Sequence, residues 1–259
     1  MLPGLDPPEG EVSDFENPDR ELYYISIATN VVTITVCSVL VSLRFLARYR
    51  LAHKIELDDV ACLVGFILYI GNNGLCLLML RFGGGLHQWN VPADWIPSYY
   101  KTVYATMVNY GPMAFATKAA ILLFLTRVFS PYKNYCRGIY AFIVLMGIYY
   151  IIMLALKIFI CVPISMFWGA TTEGRCFNQR ILILVDNVIS LVSDLAVLLL
   201  PCPLTRGLQV GLKSKIKIGF VFGIGGIACI FSLFRLVLII NYGQSPDSTY
   251  HFVRINLTG

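Results

Sequence analysis

The sequence predicts an all-α, multipass transmembrane helix bundle, and three observations support this fold class. Of its 259 residues, 57% are hydrophobic and only 14% are charged, which is too little charge to cover a soluble domain of this length. Six apolar runs are each long enough to cross a bilayer, for which about 20 residues suffice. The basic residues lie between these runs, so the net charge of +5 reflects membrane topology and not nucleic-acid binding.

The apolar runs divide the chain into three parts. Residues 1–22 form an acidic tail with seven acids and one base, which lacks the regions of a signal peptide and is expected to be disordered. Residues 23–241 form the helical bundle, and residues 242–259 form a polar C-terminal tail. The predicted spans cover residues 24–46, 60–80, 99–127, 138–162, 180–200 and 218–240.

The basic residues near the span ends predict the orientation of the bundle. Eleven lie on one side of the membrane and six on the other, and the positive-inside rule places the richer side in the cytoplasm. The N-terminus is therefore expected to be extracytoplasmic, in either the plasma membrane or an endomembrane. With six spans, the C-terminus returns to the same side.

The third span carries polar residues that a simple membrane anchor would not need. It contains Asn109, a Gly111-Pro112 pair and Lys118. A charge inside the hydrocarbon region is costly unless it faces protein or water. Lys118 therefore predicts polar partners on neighbouring helices at the same depth, and Asn109 is grouped with this intramembrane network.

Counting residues from the span ends predicts two polar layers inside the membrane. Lys118 and Asp194 each lie about nine residues from the cytoplasmic ends of their helices, so we pair them in an inner layer. Asp186 lies about five or six residues from an outer end, at the depth of Arg235 and Lys157, and is expected to pair with one of these two. Three interpretations stay open: ion pairs that fix helix register, a ligand cavity or conformational switch, and acid–base catalysis.

Two of the eight cysteines are expected to form a disulfide. Cys161 ends the fourth span and Cys176 lies in the following outer loop, in a compartment that permits disulfides. The other six lie in or beside spans without the spacing of metal ligands, and we expect them to pack as small apolar residues. No metal site and no cofactor is predicted.

The cytoplasmic side carries charged residues that a partner protein could contact. Asp58 and Asp59 precede the second span, where they can either cap the helix or dock a cytoplasmic partner. Arg127, Lys213 and Lys217 add positive charge on the same side.

An ordered set of motifs over roughly residues 20 to 245 resembles one protein family. The motifs are Asp58-Asp59, Gly84-Gly85-Leu86-His87, the third-span end from Lys118 to Phe129, Cys161-Val-Pro163 with Trp168 and Cys176, Asp194 with Leu200-Pro201, and Ser232-x-x-Arg235. Together they resemble the fungal rhodopsin-like domain family of integral membrane proteins, the group that includes the satratoxin-cluster membrane protein.

The resemblance implies a seven-helix fold from a filamentous fungus, with the N-terminus outside the cytoplasm. Some members look like G-protein-coupled receptors, and others lie within secondary-metabolite gene clusters. The chain departs from the family pattern at two points, because no glycine separates Leu86 from His87 and no seventh apolar span follows residue 241. Either the gene model is truncated or this member has six helices.

We expect a receptor-like or sensory membrane protein without catalysis, associated with a secondary-metabolite pathway. Its partners would be the lipid bilayer, a small-molecule ligand at the outer polar layer and a cytoplasmic signalling protein. The alternative is an accessory membrane enzyme or transporter of a biosynthetic gene cluster, in which Lys118 and Asp194 line a cavity and serve proton chemistry. A nonfunctional fragment is a third hypothesis.

Overall fold

The computed structural model describes residues 2–51, 54–200, 212–243 and 245–258. Within them the chain forms seven α-helices: α1 (Glu21–Leu51), α2 (Leu57–Arg81), α3 (Ile96–Val128), α4 (Lys133–Ile158), α5 (Gln179–Leu199), α6 (Leu212–Tyr242) and α7 (Ser248–Leu257). A small antiparallel sheet pairs β1 (Cys161–Val162) with β2 (Arg175–Cys176). Short 3₁₀ turns lie at Gln88–Asn90, Ala93–Trp95 and Ile164–Trp168.

Helices α1 to α6 are long and apolar enough to cross a membrane. They expose large apolar side chains such as Val32, Ile67 and Leu145, each of which is more than half exposed. Soluble proteins rarely expose extended apolar surface of this kind, whereas lipid tails solvate it well. The predicted fold class, an all-α multipass membrane bundle, is therefore confirmed.

The helices begin and end within a few residues of most predicted spans. The first, fourth and sixth differ most, and α1 ends at Leu51 and not at residue 46. Helix α4 ends at Ile158, before the predicted end at residue 162, because Cys161 and Val162 form β1. Helix α6 begins at Leu212, ahead of the apolar run that starts at residue 218. Hydropathy marks the part of a helix that meets hydrocarbon, so it misses polar turns that continue beyond the lipid tails.

Helix α3 packs against α2, α4 and α5 and lies at the centre of the described bundle. Its buried side chains contribute to both apolar clusters of the core, one near each end of the bundle. Gly111 of α3 faces the ring of Tyr150 on α4, and small residues of this kind let neighbouring helices approach closely.

The bundle has two ends with different contents. The disulfide end holds the N-terminal segment, the α2–α3 and α4–α5 loops and the α6–α7 connection. The opposite end holds the α1–α2 and α3–α4 loops.

Both terminal segments pack onto the disulfide end, although composition alone predicted polar tails. The Gly4 N–H donates to the Val91 carbonyl at 2.8 Å, and the Ala93 N–H donates to the Leu2 carbonyl at 3.0 Å. Near the other terminus, α7 buries Thr249 and Val253. The N-terminal contacts join backbone groups, which every residue type carries, so composition does not report them.

A glycine turn after α2 brings the α2–α3 loop onto α7. Gly83 and Gly85 have φ angles of 91° and 83°, a left-handed conformation that suits glycine. A Cβ on Gly83 would lie 2.6 Å from Val91. The Gly85 N–H donates to the Thr249 carbonyl at 3.1 Å, so this tight turn holds α7 in place.

Candidate functional site

Lys118 is buried in the middle of α3, and polar groups of α4 and α5 surround its ammonium group. Its Nζ lies 3.0 Å from Oδ1 of Asp194. It donates to Oγ of Ser193 at 2.6 Å, to the Ser190 carbonyl at 3.0 Å and to the Tyr150 hydroxyl at 3.2 Å. The structure thus brings together both residues of the predicted inner layer and adds hydroxyl groups to it.

Helix α5 supplies most of these groups because Asp186, Ser190 and Asp194 follow one another at intervals of four residues, which places them on one face. The carboxylate of Asp194 also accepts from the Ser232 hydroxyl of α6 at 3.1 Å. With Tyr150 on α4, the inner layer joins side chains of α3, α4, α5 and α6.

The outer layer is a fully buried ion pair between α4 and α5. Lys157 Nζ lies 2.6 Å from Asp186 Oδ2, and both side chains are only 4% exposed. The Tyr149 hydroxyl donates to the other Asp186 oxygen at 3.4 Å. Of the two candidate partners at its depth, Asp186 therefore pairs with Lys157.

Arg235 on α6 lies apart from Asp186 and has no counter-ion among the described residues. Its guanidinium carbon lies 4.5 Å from the centroid of the Tyr110 ring, a cation–π arrangement. Its Nε is buried and has no hydrogen-bond partner among the residues that the structure describes. A buried donor without a partner is unusual in a folded protein, so this atom needs an explanation.

A cavity of about 370 Å³ at the disulfide end contains these outer groups. Its charged lining residues are Lys157, Arg180, Asp186 and Arg235, so cations outnumber carboxylates in the described lining. Apolar side chains from α3, α5, α6 and α7 complete much of the wall: Met107, Ile183, Ile239, Phe252 and Ile255. Charged groups beside apolar walls are typical of sites for small molecules.

A second cavity of about 410 Å³ extends from the first toward the middle of the bundle, where Met113 and Ala228 line it. The two cavities share Tyr110, Asn187, Arg235 and Asn256. Arg235 therefore stands where the two spaces meet.

His251 of α7 lines the first cavity and stacks on Tyr242, with ring centroids 4.8 Å apart. Burial lowers the pKa of the His251 imidazole, because desolvation disfavours the charged ring. Burial therefore favours the neutral form of this ring beside the cavity.

Asn109 lies apart from both charged layers. Its side-chain amide donates to the Leu68 carbonyl at 3.0 Å. This bond joins α3 to α2, so Asn109 contributes to helix packing and not to the charged network with which we grouped it.

At the opposite end, Asp58 and Asp59 turn toward α1 and not toward the surface. The Arg44 guanidinium lies 2.7 Å from Asp58 and 3.0 Å from Asp59, and Arg48 contacts the same two carboxylates at 2.8 and 3.1 Å. Asp59 also accepts from the N–H of Glu56, the N-cap residue of α2, at 3.2 Å, so it completes a capping box at the start of this helix. Both aspartates are almost fully buried and therefore present no carboxylate to a docking partner.

The three basic residues that we assigned to partner contacts have different settings. Arg127, at the end of α3, lies 3.3 Å from Glu56, and both side chains are more than a third exposed. Lys213 and Lys217 belong to α6, but their side chains lie outside the described residues.

Sequence reasoning missed the tyrosines and one aspartate that complete these contacts. Tyr110 and Tyr150 lie inside apolar spans, and a phenol at that depth needs a partner for its hydroxyl or its ring face. That signal was available from the sequence. Asp247 was not recognisable in the same way, because its oxygens accept from the Gln88 N–H and contact His87 on a distant loop.

These features define a multipass membrane protein with ion pairs buried between its helices and a cavity at one end. The chain matches the fungal rhodopsin domain over residues 43–258, and it belongs to that family. The family resemblance drawn from the motifs is therefore confirmed.

The relatives carry three kinds of name: a family membrane protein, proteins of biosynthesis clusters and a receptor. A SAT4 family membrane protein of Emericella nidulans is 33% identical over 172 residues, which cover 66% of this chain and 45% of the relative. The fugralins biosynthesis cluster protein 2 of Gibberella zeae is 28% identical, covering 96% of this chain and 63% of the relative. The receptor GIN3 of Arthrobotrys oligospora is 26% identical, with coverage of 85% and 56%.

The chain thus spans about half to two thirds of the length of these relatives. No solved structure matches the chain.

Proposed function

We propose that this protein is a receptor-like membrane sensor that binds a small molecule in the cavity at the disulfide end. The observation that carries the proposal is the position of Asp186. It lines that cavity, and it lies about two turns from Asp194 on the same face of α5. A ligand that contacts the outer layer therefore acts on the helix that also holds the inner layer.

The inner layer offers a way to pass such a change along the bundle. Lys118, Asp194 and Ser232 join α3, α5 and α6 through side-chain contacts in a packed interior. Packed interfaces of this kind move between discrete arrangements, and a ligand shifts their populations when it binds one arrangement more tightly. A small shift of α5 or α6 at the cavity would then reach the opposite end.

We place the disulfide end outside the cytoplasm or in an organelle lumen. The Cys161–Cys176 bond, which confirms the predicted disulfide, suits an oxidising compartment. The larger number of basic residues on the other side suits the cytoplasm. Arg127, Lys213 and Lys217 would then meet a cytoplasmic signalling protein, in either the plasma membrane or an endomembrane.

The relatives support both parts of the proposal. One of them is named a receptor. Others are named as proteins of biosynthesis clusters, in Gibberella zeae and in Talaromyces wortmannii. A sensor associated with a secondary-metabolite pathway accommodates both kinds of name.

The cluster names also favour a second candidate, an accessory membrane enzyme or transporter. Proton chemistry requires the acid and the base to reach the substrate. Lys118 and Asp194 instead contact each other, and neither is among the described residues that line the two cavities. The receptor-like function is therefore the better supported of the two.

A comparison of host strains with and without the gene separates these candidates. We expect an organic extract of the culture medium to change transcription of metabolite genes in the parent strain and in a complemented strain, but not in the deletion strain. An unchanged response in the deletion strain would reject the sensor. Microsomes that carry the chain should neither convert nor take up any component of the same extract. Conversion would establish the enzyme, and uptake would establish the transporter.

A further inference from the structure

We infer that the cavity at the disulfide end takes an organic carboxylate with an apolar body, and that Arg235 pairs with its carboxylate. The inference rests on the proposed function, because it names the class of ligand for the same cavity. Three properties of the described residues carry it: the charge balance of the lining, the unpartnered donor of Arg235, and the apolar wall.

Arg180 and Arg235 are the cations of the described lining that have no carboxylate partner, and Arg235, which lies inside the bundle and not at the start of a helix, calls for an anion. Lys157 already has a counter-ion, because its Nζ lies 2.6 Å from Asp186. Arg235 makes no ion pair with any residue in the described parts of the chain, and its guanidinium lies over the uncharged ring of Tyr110. A cation at this depth in a membrane protein usually pairs with an acid or faces water. An anionic ligand would supply the missing partner.

The geometry of the guanidinium favours a carboxylate as that anion. The Nε of Arg235 is buried and has no acceptor. A carboxylate that enters the cavity can accept from two guanidinium nitrogens at once, in the two-pronged arrangement that arginine provides and lysine does not. The position of Arg235 where two cavities meet leaves space beside it for such a group.

The wall of the cavity indicates the rest of the ligand. Met107, Ile183 and Ile239 line it from three helices, and Phe252 and Ile255 line it from α7. An apolar lining gains little from a small inorganic anion, which keeps its hydration in water. An apolar body gains from burial there, so the wall selects an organic acid.

Photolabelling of the full chain in membranes tests this inference with two matched probes. One is a decanoic acid that carries a diazirine, and the other is the primary amide of the same molecule. Label is located by mass spectrometry on peptides of α3, α6 and α7. We expect the acid to label cavity peptides about tenfold more than the amide, as a charged hydrogen bond would give.

The variant Arg235→Gln should lower cavity labelling by the acid to the level of the amide. Arg81→Gln is the matched control, because Arg81 is an exposed cation at the end of α2 that lies outside the described lining of both cavities. It removes the same charge and should leave labelling unchanged. Non-reducing peptide mapping of the Cys161–Cys176 bond reports whether each variant has folded.

A competition measurement on the unaltered chain keeps the test valid if Arg235→Gln does not fold. Excess decanoate should suppress labelling by the acid probe, and decanamide should not. Equal suppression by both, or no cavity label from the acid, would overturn the inference. The inference would also be overturned if acid and amide labelled the cavity equally and Arg235→Gln left that labelling unchanged. That result would still show that the cavity binds a ligand. The proposed sensor role itself fails only on the response of the deletion strain.

Discussion

The two ends of the bundle bury charge in different ways. At the opposite end, two arginines meet two aspartates, and each guanidinium contacts both carboxylates. Arg44 and Arg48 come from α1, whereas Asp58 and Asp59 come from α2. The cluster is balanced in charge and joins only neighbouring helices, which is what a purely structural contact requires.

At the disulfide end the charges do not balance. Lys157 and Asp186 match each other, but Arg235 adds a cation for which the described residues supply no acid. These three residues come from α4, α5 and α6, and all three line a cavity. A charge-balanced cluster therefore offers no unpaired charge to a ligand, whereas an unbalanced cluster beside a cavity does offer one.

The largest expected effect follows from breaking the balanced pair at the disulfide end. Asp186→Asn leaves Lys157 buried without a counter-ion, and this should lower the free energy of unfolding by about 3–5 kcal/mol. Thermal unfolding of the detergent-purified chain measures the loss. The double variant Lys157→Met with Asp186→Leu replaces the pair by apolar side chains and should recover most of the stability. If the double variant is as unstable as Asp186→Asn, the loss of stability does not come from leaving Lys157 without a counter-ion.

The inner layer should be less sensitive, because its acid is less completely buried. The Asp194 side chain is 22% exposed, compared with 4% for Asp186, and Lys118 keeps the acceptors of Ser190, Ser193 and Tyr150 when the charge of Asp194 is removed. Asp194→Asn should cost about 1–3 kcal/mol of unfolding free energy. The charge-swapped double variant, Lys118→Asp with Asp194→Lys, should unfold at a higher temperature than either single swap. No recovery in the double variant would mean that the two side chains do not interact.

The cluster at the opposite end contains two aspartates with one difference between them. Both contact Arg44 and Arg48, but only Asp59 also accepts from the Glu56 N–H. Asp59→Ala should therefore destabilise the chain by about 1 kcal/mol more than Asp58→Ala, because it loses one further hydrogen bond, the one to the Glu56 N–H. Asp59→Asn is the control, since it keeps a capping oxygen and loses the charge. Equal unfolding temperatures for the two alanine variants would contradict the capping role.

The sequence could predict the spans and the depth of each charge, because both depend on distance along the chain. Lys118 and Asp194 were matched by counting residues from the span ends, and the structure brings them together. The same count left Lys157 and Arg235 as equal candidates for Asp186. Depth does not tell which side of a helix faces which neighbour. Only the arrangement of the helices, in which Lys157 reaches Asp186, separates the lysine from the arginine.

The parts that sequence reasoning missed depend on contacts between distant segments. The N-terminal residues bind the α2–α3 loop through backbone groups, and α7 is held by Asp247, whose oxygens reach a loop about 160 residues earlier in the chain. Neither contact leaves a periodic or compositional signal. The acids Asp58 and Asp59 illustrate the reverse case, because an acidic pair at a helix start suggests an exposed site until the arginines of α1 are placed beside it.

The smallest effect on stability is expected where a balanced pair lies at the surface. Arg127 and Glu56 are 3.3 Å apart, with side chains 36% and 43% exposed, so water screens their attraction. Arg127→Gln should change the unfolding free energy by less than about 0.5 kcal/mol. If Arg127 meets a cytoplasmic signalling protein, the same variant should nevertheless weaken the transcriptional response to the culture extract. Glu56→Gln separates the two roles, because it breaks the same pair and leaves the Arg127 charge in place. A weaker response in Arg127→Gln alone would indicate that Arg127 contacts the signalling protein. Equal responses in both variants would indicate that the pair is only a surface contact.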